Sequence, residues 1–187
     1  NIYFPIRLLG FLIEPLFFIF YREIQFITAA SSIAKELKDY GISSNSIHII
    51  HHGASAVRLE RDIDKKQPPA IIYLSQLSQD KGIEDALNAF AIFSKYNKEL
   101  RFWVVGKAKN KSYEREVKNL THRLNIADKV KFFGFVSEDK KFQLLSKSWV
   151  LIHPAAREGW GLNVIEANSV GVPTVGYNVT GLRDSIL

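Results

Sequence analysis

Two glutamates, Glu158 and Glu166, are separated by seven residues in the stretch 157-REGWGLNVIEANSVGVPTV-175. The segment around them is apolar and rich in glycine, an odd setting for side chains that ordinarily face water. A carboxylate there repels phosphate but accepts strong hydrogen bonds from vicinal hydroxyls, such as those of a sugar or a ribose. Gly159 and Gly161 oppose a helix through them, so a helix is predicted to begin near Leu162. Glu158 then sits in the loop before that helix and Glu166 about one turn inside it. The residues leave two readings open: acceptors for ligand hydroxyls, or acids that merely complement the positive end of the helix.

A cation with a different task is Lys81, in 75-SQLSQDKG-82. With Gly82 it opens a predicted helix. A helix N-terminus offers free N–H groups and partial positive charge, and a lysine beside it adds a full charge, a combination suited to phosphate or diphosphate. The spacing is not that of a Walker loop, because the glycines are misplaced and no Lys-Ser/Thr follows. A solvated lysine next to an N-cap Asp80 is the plainer alternative. Two further loops, 106-GKAKNK-111 and 134-GFVSED-139, also link a strand to a helix. Gly134 permits a tight turn that would turn the backbone of Phe135 and Val136 toward a ligand, while Ser137 reads as a helix cap. His51, His52 and His153 are read as structural or interdomain groups rather than catalytic ones.

These loops must be held by elements, and the pattern after residue 69 is regular. Apolar strands are predicted at 70–74, 101–106, 129–134, 149–154 and 173–177. Helices are predicted at 83–96, 112–124, 138–148 and 162–171, with Ile83, Leu87, Phe90 and Ala91 at helical spacing. Near-continuous apolar strands alternating with helices imply a parallel sheet covered on both faces. Right-handed crossovers make it a Rossmann-like, doubly wound α/β sheet, whose ligands sit at the carboxyl ends of the strands. Before residue 58 the chain predicts a strand at 24–28 and a helix at 29–40, capped by Ser31 or Ser32 and ended by Gly41. A second strand at 47–50 follows. Residues 58–69, RLERDIDKKQPP, read as an interdomain linker. The expected domains are thus 1–57, the linker 58–69, and 70–187.

Composition narrows the classes. Apolar residues make up 47% and charged residues 24%, as expected for a folded chain. The absence of cysteine excludes disulfides, thiolate catalysis and cysteine-based zinc sites, and is compatible with a reducing cytoplasm. A net charge of +6 suits an anionic small molecule, an anionic membrane surface or nucleic acid. No aromatic–basic repeat or nucleic-acid motif accompanies it, which argues against nucleic acid. The run 8–21, LLGFLIEPLFFIFY, is interrupted by Glu14 and Pro15 and is too short on either side to span a bilayer. It reads as a helix buried against preceding chain, or as a surface membrane patch flanked by Arg7 and Arg22. With no methionine and Asn1 at its start, the sequence is expected to be an internal piece of a longer protein.

Lys81-Gly82, Gly134-Phe135-Val136 and Glu158 through Glu166, in that order, resemble the retaining family-4 (group 1) glycosyltransferases of GT-B fold. Residues 154–162, continuing to Glu166-Ala167 and Gly171-Val172-Pro173, are similar to that family's Glu-x7-Glu signature. The resemblance reaches 28-TAASSIAKELKDYGI-42 and His52-Gly53, which look like the end of the N-terminal, acceptor-side domain. It implies a nucleotide-diphosphate sugar as donor substrate, with no metal and no cofactor. It implies transfer of a hexose-type sugar to a glycan or lipid-linked acceptor with retained configuration, by a protein at the cytoplasmic membrane face. Lys81 would hold the diphosphate, Glu158 the sugar hydroxyls and Glu166 the ribose, with Lys81 and Glu158 as the catalytic pair. Backbone groups near Val136 would meet the base, and Gly159, Trp160 and Gly161, running into Leu162, would approach the sugar or phosphate.

One departure stands out. The family usually reads Gly-Arg-x4-Lys-Gly in the first loop, where this chain has Ser75 and Gln76. Gln76 can donate a hydrogen bond to the donor but carries no charge, so donor binding is expected to weaken unless Arg157 or Lys107 compensates. Two alternatives follow: a non-catalytic nucleotide-sugar-binding or scaffold homologue, and a sugar-nucleotide epimerase on the same scaffold. The isolated piece is expected to be inactive, because the acceptor-side groove lies outside it.

Overall fold

The computed structural model describes residues 9–10, 12–13, 16–18, 20–53 and 68–186. The chain divides into two compact units, Asn1–His52 and Gly53–Leu187. Most of the predicted linker, residues 58–67, lies outside the described residues.

In the first unit, β1 (Phe26–Thr28) and β2 (Ile47–Ile49) pair in parallel around α1 (Ser31–Asp39). The sequence predicts Ser31 or Ser32 as the cap of α1, but neither takes that place. Ala30 holds the N-cap position with extended backbone, so Ser31 is already helical, and the Thr28 hydroxyl accepts the Ala30 N–H instead. Gly41 ends the helix at φ +86°, a conformation glycine adopts without strain. In the 8–21 run Leu9, Leu12, Leu16, Phe17 and Phe20 are exposed, while Phe18 stacks on Tyr40 with ring centroids 4.5 Å apart. Among the described residues no helix is long and apolar enough to cross a membrane.

The second unit is a five-stranded parallel sheet in the order β5-β4-β3-β6-β7. Its strands are β3 (Ala70–Leu74), β4 (Arg101–Val105), β5 (Val130–Gly134), β6 (Val150–His153) and β7 (Thr174–Gly176). The helices are α2 (Ile83–Phe93), α3 (Lys111–Arg123), α4 (Glu138–Lys147), α5 (Leu162–Ser169) and α6 (Leu182–Ser185). The chain enters at the central strand, winds outward through β4 and β5, then crosses back to lay β6 on the other side of β3. Every residue of β3 is buried, and its alternation divides the core. Ile71 and Tyr73 pack with Phe90, Phe102 and Val117 on the α2–α3 face. Ile72 and Leu74 pack with Phe142, Leu145, Leu151 and Ala167 on the α4–α5 face.

This order puts a topological switch point between β3 and β6, where successive crossovers leave in opposite directions. The loops after those two strands therefore emerge side by side, although Lys81 and Glu158 are distant in sequence. Two predicted details differ. Helix α2 stops at Phe93, where the chain turns through Ser94–Asn97, rather than at 96. Its N-cap is Gly82 in the left-handed region (φ +69°), not Asp80, because residues 79–81 form a 3-10 turn first.

Candidate functional site

The loop after β3 is pinned from beneath. The hydroxyl of fully buried Tyr73 lies 3.0 Å from the Gln76 carbonyl and 3.2 Å from that of Lys81, anchoring both ends of the loop. Burial pushes the Tyr73 phenol far up, so it remains a donor at any ordinary pH. The neighbouring loop holds it from the side: the Leu77 N–H donates to the Lys107 carbonyl at 3.0 Å, extending the β3–β4 pairing. Gly106 backs directly on Ser75, where an added Cβ would stand 1.8 Å from the carbonyl oxygen.

The loop after β6 packs on the same structure. A Cβ at Gly82 would meet the Pro154 carbonyl oxygen at 2.1 Å, and the Ala156 N–H donates to the Asp80 carbonyl at 2.9 Å. These backbone contacts bring Lys81 Nζ to 2.6 Å from Glu158 Oε1. The same oxygen lies 3.1 Å from Nε2 of His153, the last residue of β6, which is only 1% exposed. Burial pushes the Glu158 carboxyl up, but hydrogen bonds from His153 and Lys81 outweigh it and hold the group down at about 2. Glu158 is thus an anion with both partners on one oxygen. Behind it, Gly181 lies against the Glu158 carbonyl, and Gly161 opens α5 at φ +79° with no room for a side chain beside Leu182. Gly159 faces open space, Trp160 is half-buried, and Leu162 is the exposed first residue of α5.

Glu166 belongs to a separate cluster. Its Oε1 accepts from Lys141 Nζ at 2.7 Å, and Lys141 also pairs with Glu138 at 2.8 Å. Glu166 Oε2 is buried without a hydrogen-bond partner. Burial pushes the Lys141 ammonium down, but hydrogen bonds to Glu138 and Glu166 more than offset it and hold it above its usual range. Lys141 forms part of the wall of a cavity of about 390 Å³ at the carboxyl ends of β3 and β4, with Gln76, Lys107, Val136 and Asn163. Asn163 is fixed there by a 2.7 Å hydrogen bond to the Leu74 carbonyl. Gly134 makes the turn before Val136 at φ +68°, and Ser137 caps α4 by accepting the Lys140 N–H.

The expected residues therefore fall into two adjacent groups: Gln76 and Val136 line the cavity, whereas Lys81 and Glu158 meet at the switch point. Two participants escape the sequence reading. His153, which the sequence presents only as a structural or interdomain group, holds Glu158; its position at the end of a strand, five residues before the acid, is the local signal for that contact. Lys141 goes unnoticed, although Glu138 three residues earlier gives the pair helical spacing. Among the described residues, no cluster of three or more His, Asp or Glu side chains is arranged to hold a metal ion.

Residues 58–187 match the family described as glycosyl transferases group 1. The chain belongs to that family. It is 25% identical over 181 residues to an uncharacterized glycosyltransferase of Methanocaldococcus jannaschii, covering 89% of this chain and 45% of that protein. Among solved structures, it resembles a glycosyltransferase from Rickettsia africae at a TM-score of 0.75 and 19% identity, over 88% of this chain and 48% of the other. It also resembles HepE of Anabaena, solved with UDP and glucose, at a TM-score of 0.71 and 20% identity, over 85% and 46% of the two chains. The group 1 chain described here thus spans about half the length of these relatives. The structural likenesses establish a shared fold: the doubly wound sheet of GT-B glycosyltransferases.

Proposed function

We propose that this chain carries the nucleotide-sugar-binding half of a glycosyltransferase that moves a hexose-type sugar to a glycan or lipid-linked acceptor with retained configuration. The observation that carries the reading is the Lys81–Glu158 pair at the β3/β6 switch point, beside a cavity lined by Gln76 and Val136. Lys81 provides a cation for the diphosphate, and Glu158 an ionised acceptor for sugar hydroxyls. Glu166 takes the ribose hydroxyls, and the backbone at Val136 meets the base. The N–H groups of Gly159, Trp160 and Gly161 approach the sugar or phosphate.

In the reaction the bond between the anomeric carbon and the diphosphate oxygen breaks. An acceptor hydroxyl oxygen bonds to that carbon from the same face and passes its proton to the departing phosphate. Lys81 stabilises the charge that accumulates on the leaving group, the type of electrostatic contribution that commonly dominates. The two glutamates are hydroxyl clamps rather than an acid and a nucleophile. The exposed apolar residues at 9–20 suit attachment of the whole protein to the cytoplasmic face of a membrane.

The test is a calorimetric screen of nucleotide sugars, starting with UDP-glucose because HepE was solved with UDP and glucose, followed by transfer assays on the full-length protein. Binding of at least one nucleotide sugar, with turnover, is expected. Binding without turnover on any acceptor would favour a scaffold subunit, the outcome toward which uncharged Gln76 points. Absence of binding across the panel would overturn the donor-site reading.

A further inference from the structure

His153 is almost fully buried beside Glu158, and nothing in the core requires a histidine there. It ends β6, and Leu151, two residues earlier on the same face of the strand, is fully buried and apolar. A leucine-sized side chain would fill such a place without leaving a polar atom stranded. The histidine does leave one: Nδ1 is buried and has no hydrogen-bond partner, a situation that costs free energy. Its other nitrogen faces Glu158 Oε1 at 3.1 Å. A carboxylate can only accept, so Nε2 carries the proton and donates, and Nδ1 is the nitrogen left without a partner. The stranded nitrogen is therefore the consequence of aiming the N–H at Glu158.

The geometry suggests why that N–H is needed. Glu158 is half-buried and has two partners, and both contact Oε1. Lys81 is the more exposed of the two and hangs from a loop, whereas His153 is fixed in the sheet. On the donor-site reading proposed above, on which this inference rests, Lys81 must turn its charge toward a diphosphate. Glu158 would then lose its only full countercharge while remaining out of bulk water. We propose that His153 is a positioning residue for sugar recognition: its Nε2–H keeps Glu158 Oε1 occupied when Lys81 engages the diphosphate, so that Oε2 stays presented to the sugar hydroxyls. His153 touches no substrate atom and acts only through Glu158.

The test uses His153→Leu, which fills the space without donating, and His153→Gln, whose amide nitrogen reaches to about the place of Nε2. Two readouts are taken on the whole chain. The first needs no donor: the Glu158 carboxyl is titrated by carbon NMR. His153→Leu should raise its pKa clearly above the wild-type value near 2, and His153→Gln should restore much of the shift. The second is calorimetry with UDP-glucose against UDP, and GDP-mannose against GDP. For whichever pair shows a sugar increment, His153→Leu should remove about tenfold of it while leaving the nucleoside diphosphate unchanged, as expected for one hydrogen bond to a charged group. His153→Gln should recover the increment.

An unshifted Glu158 titration in His153→Leu overturns the proposal. So does a parallel fall in affinity for diphosphate and sugar nucleotide, which would mark a merely structural histidine. Should neither nucleotide pair bind the wild type, the donor-site reading is the one that fails for these donors, and the NMR titration still decides the role of His153.

Discussion

Glu158 and Glu166 come from one short stretch of sequence, and each offers one oxygen to a lysine, yet their surroundings differ in kind. Glu158 sits in a loop and shares Oε1 between Lys81, also from a loop, and His153, locked in the sheet. Its cation is 23% exposed and pairs with a single carboxylate. Glu166 sits on α5 and meets Lys141 on α4, a cation that is 12% exposed and flanked by two carboxylates. That charge is already more than matched. The contrast separates two tasks: a cation that can be redirected serves an arriving anion, whereas a cation held between two acids fixes the orientation of an acid.

If the division is correct, removing each cation or acid should affect a different part of the same ligand. The largest effect belongs to Lys81→Gln. It should weaken binding of UDP by about a hundredfold, since a charge-assisted contact in a partly dry site is lost. Uridine, which has no diphosphate, should bind Lys81→Gln as it binds the wild type. Equal losses for UDP and uridine in calorimetry would dissolve the distinction between the two clusters.

The next effect separates the clusters by pH. The Glu158 carboxyl titrates near 2 in the folded chain against an ordinary value of 4.5. Because the folded value is the lower one, the associated stability is fully present above about pH 4.5 and is lost as pH falls toward 2. Allowing for partial exposure it amounts to about 2 kcal/mol. Chemical denaturation of Glu158→Gln should show a flatter acid limb across that window. Lys141 behaves oppositely: its folded value is raised above 10.5, so its contribution is complete below that pH and is lost as pH rises through the raised value. Lys141→Met should therefore flatten the alkaline limb, which Glu158→Gln leaves alone.

A smaller loss is expected at Glu166. Glu166→Ala should weaken uridine binding by about tenfold, the size of one hydrogen bond to a charged group. Equal calorimetric affinities for wild type and Glu166→Ala would sink the ribose assignment while leaving the Lys81 prediction standing.

These groupings were unevenly legible in the sequence. The order of strands and helices in 70–187 could be read because buried parallel strands leave unbroken apolar runs and their helices keep strict spacing. Ile83, Leu87 and Phe90 are fully buried, as that spacing requires. Lys81 and Glu158 stood out because a lysine and glycine at a helix start, and an acid among glycines, are locally unusual. Their mutual contact was not legible: it depends on β6 crossing back beside β3, a long-range consequence of sheet order. His153 is legible only as a structural or interdomain group, and Lys141 is not legible as a site residue, because its contact with Glu166 joins two helices distant in sequence. The N-cap of α2 went to Gly82 because a 3-10 turn takes up Gln79–Lys81. That competition between turn types leaves little trace in residue identity.

The smallest expected effect, Gln76→Arg, examines the boundary between the two clusters. Gln76 lines the cavity with Lys107 and Lys141, and its carbonyl is tethered to Tyr73, so a longer side chain can be grafted without moving the loop. Lys141 is neutralised by Glu138 and Glu166, which leaves the cavity wall open to a further positive charge. Arginine would bring a permanent charge and a planar fork of donors matched to phosphate oxygens. In a water-accessible cleft such a contact contributes little, so UDP should bind up to about fivefold tighter and uridine as before. A gain confined to UDP would place the diphosphate between Lys81 and the Gln76 edge of the cavity. An unchanged or weakened affinity would mean that the diphosphate stays on the Glu158 side of the loop, and that the cavity serves the nucleoside alone.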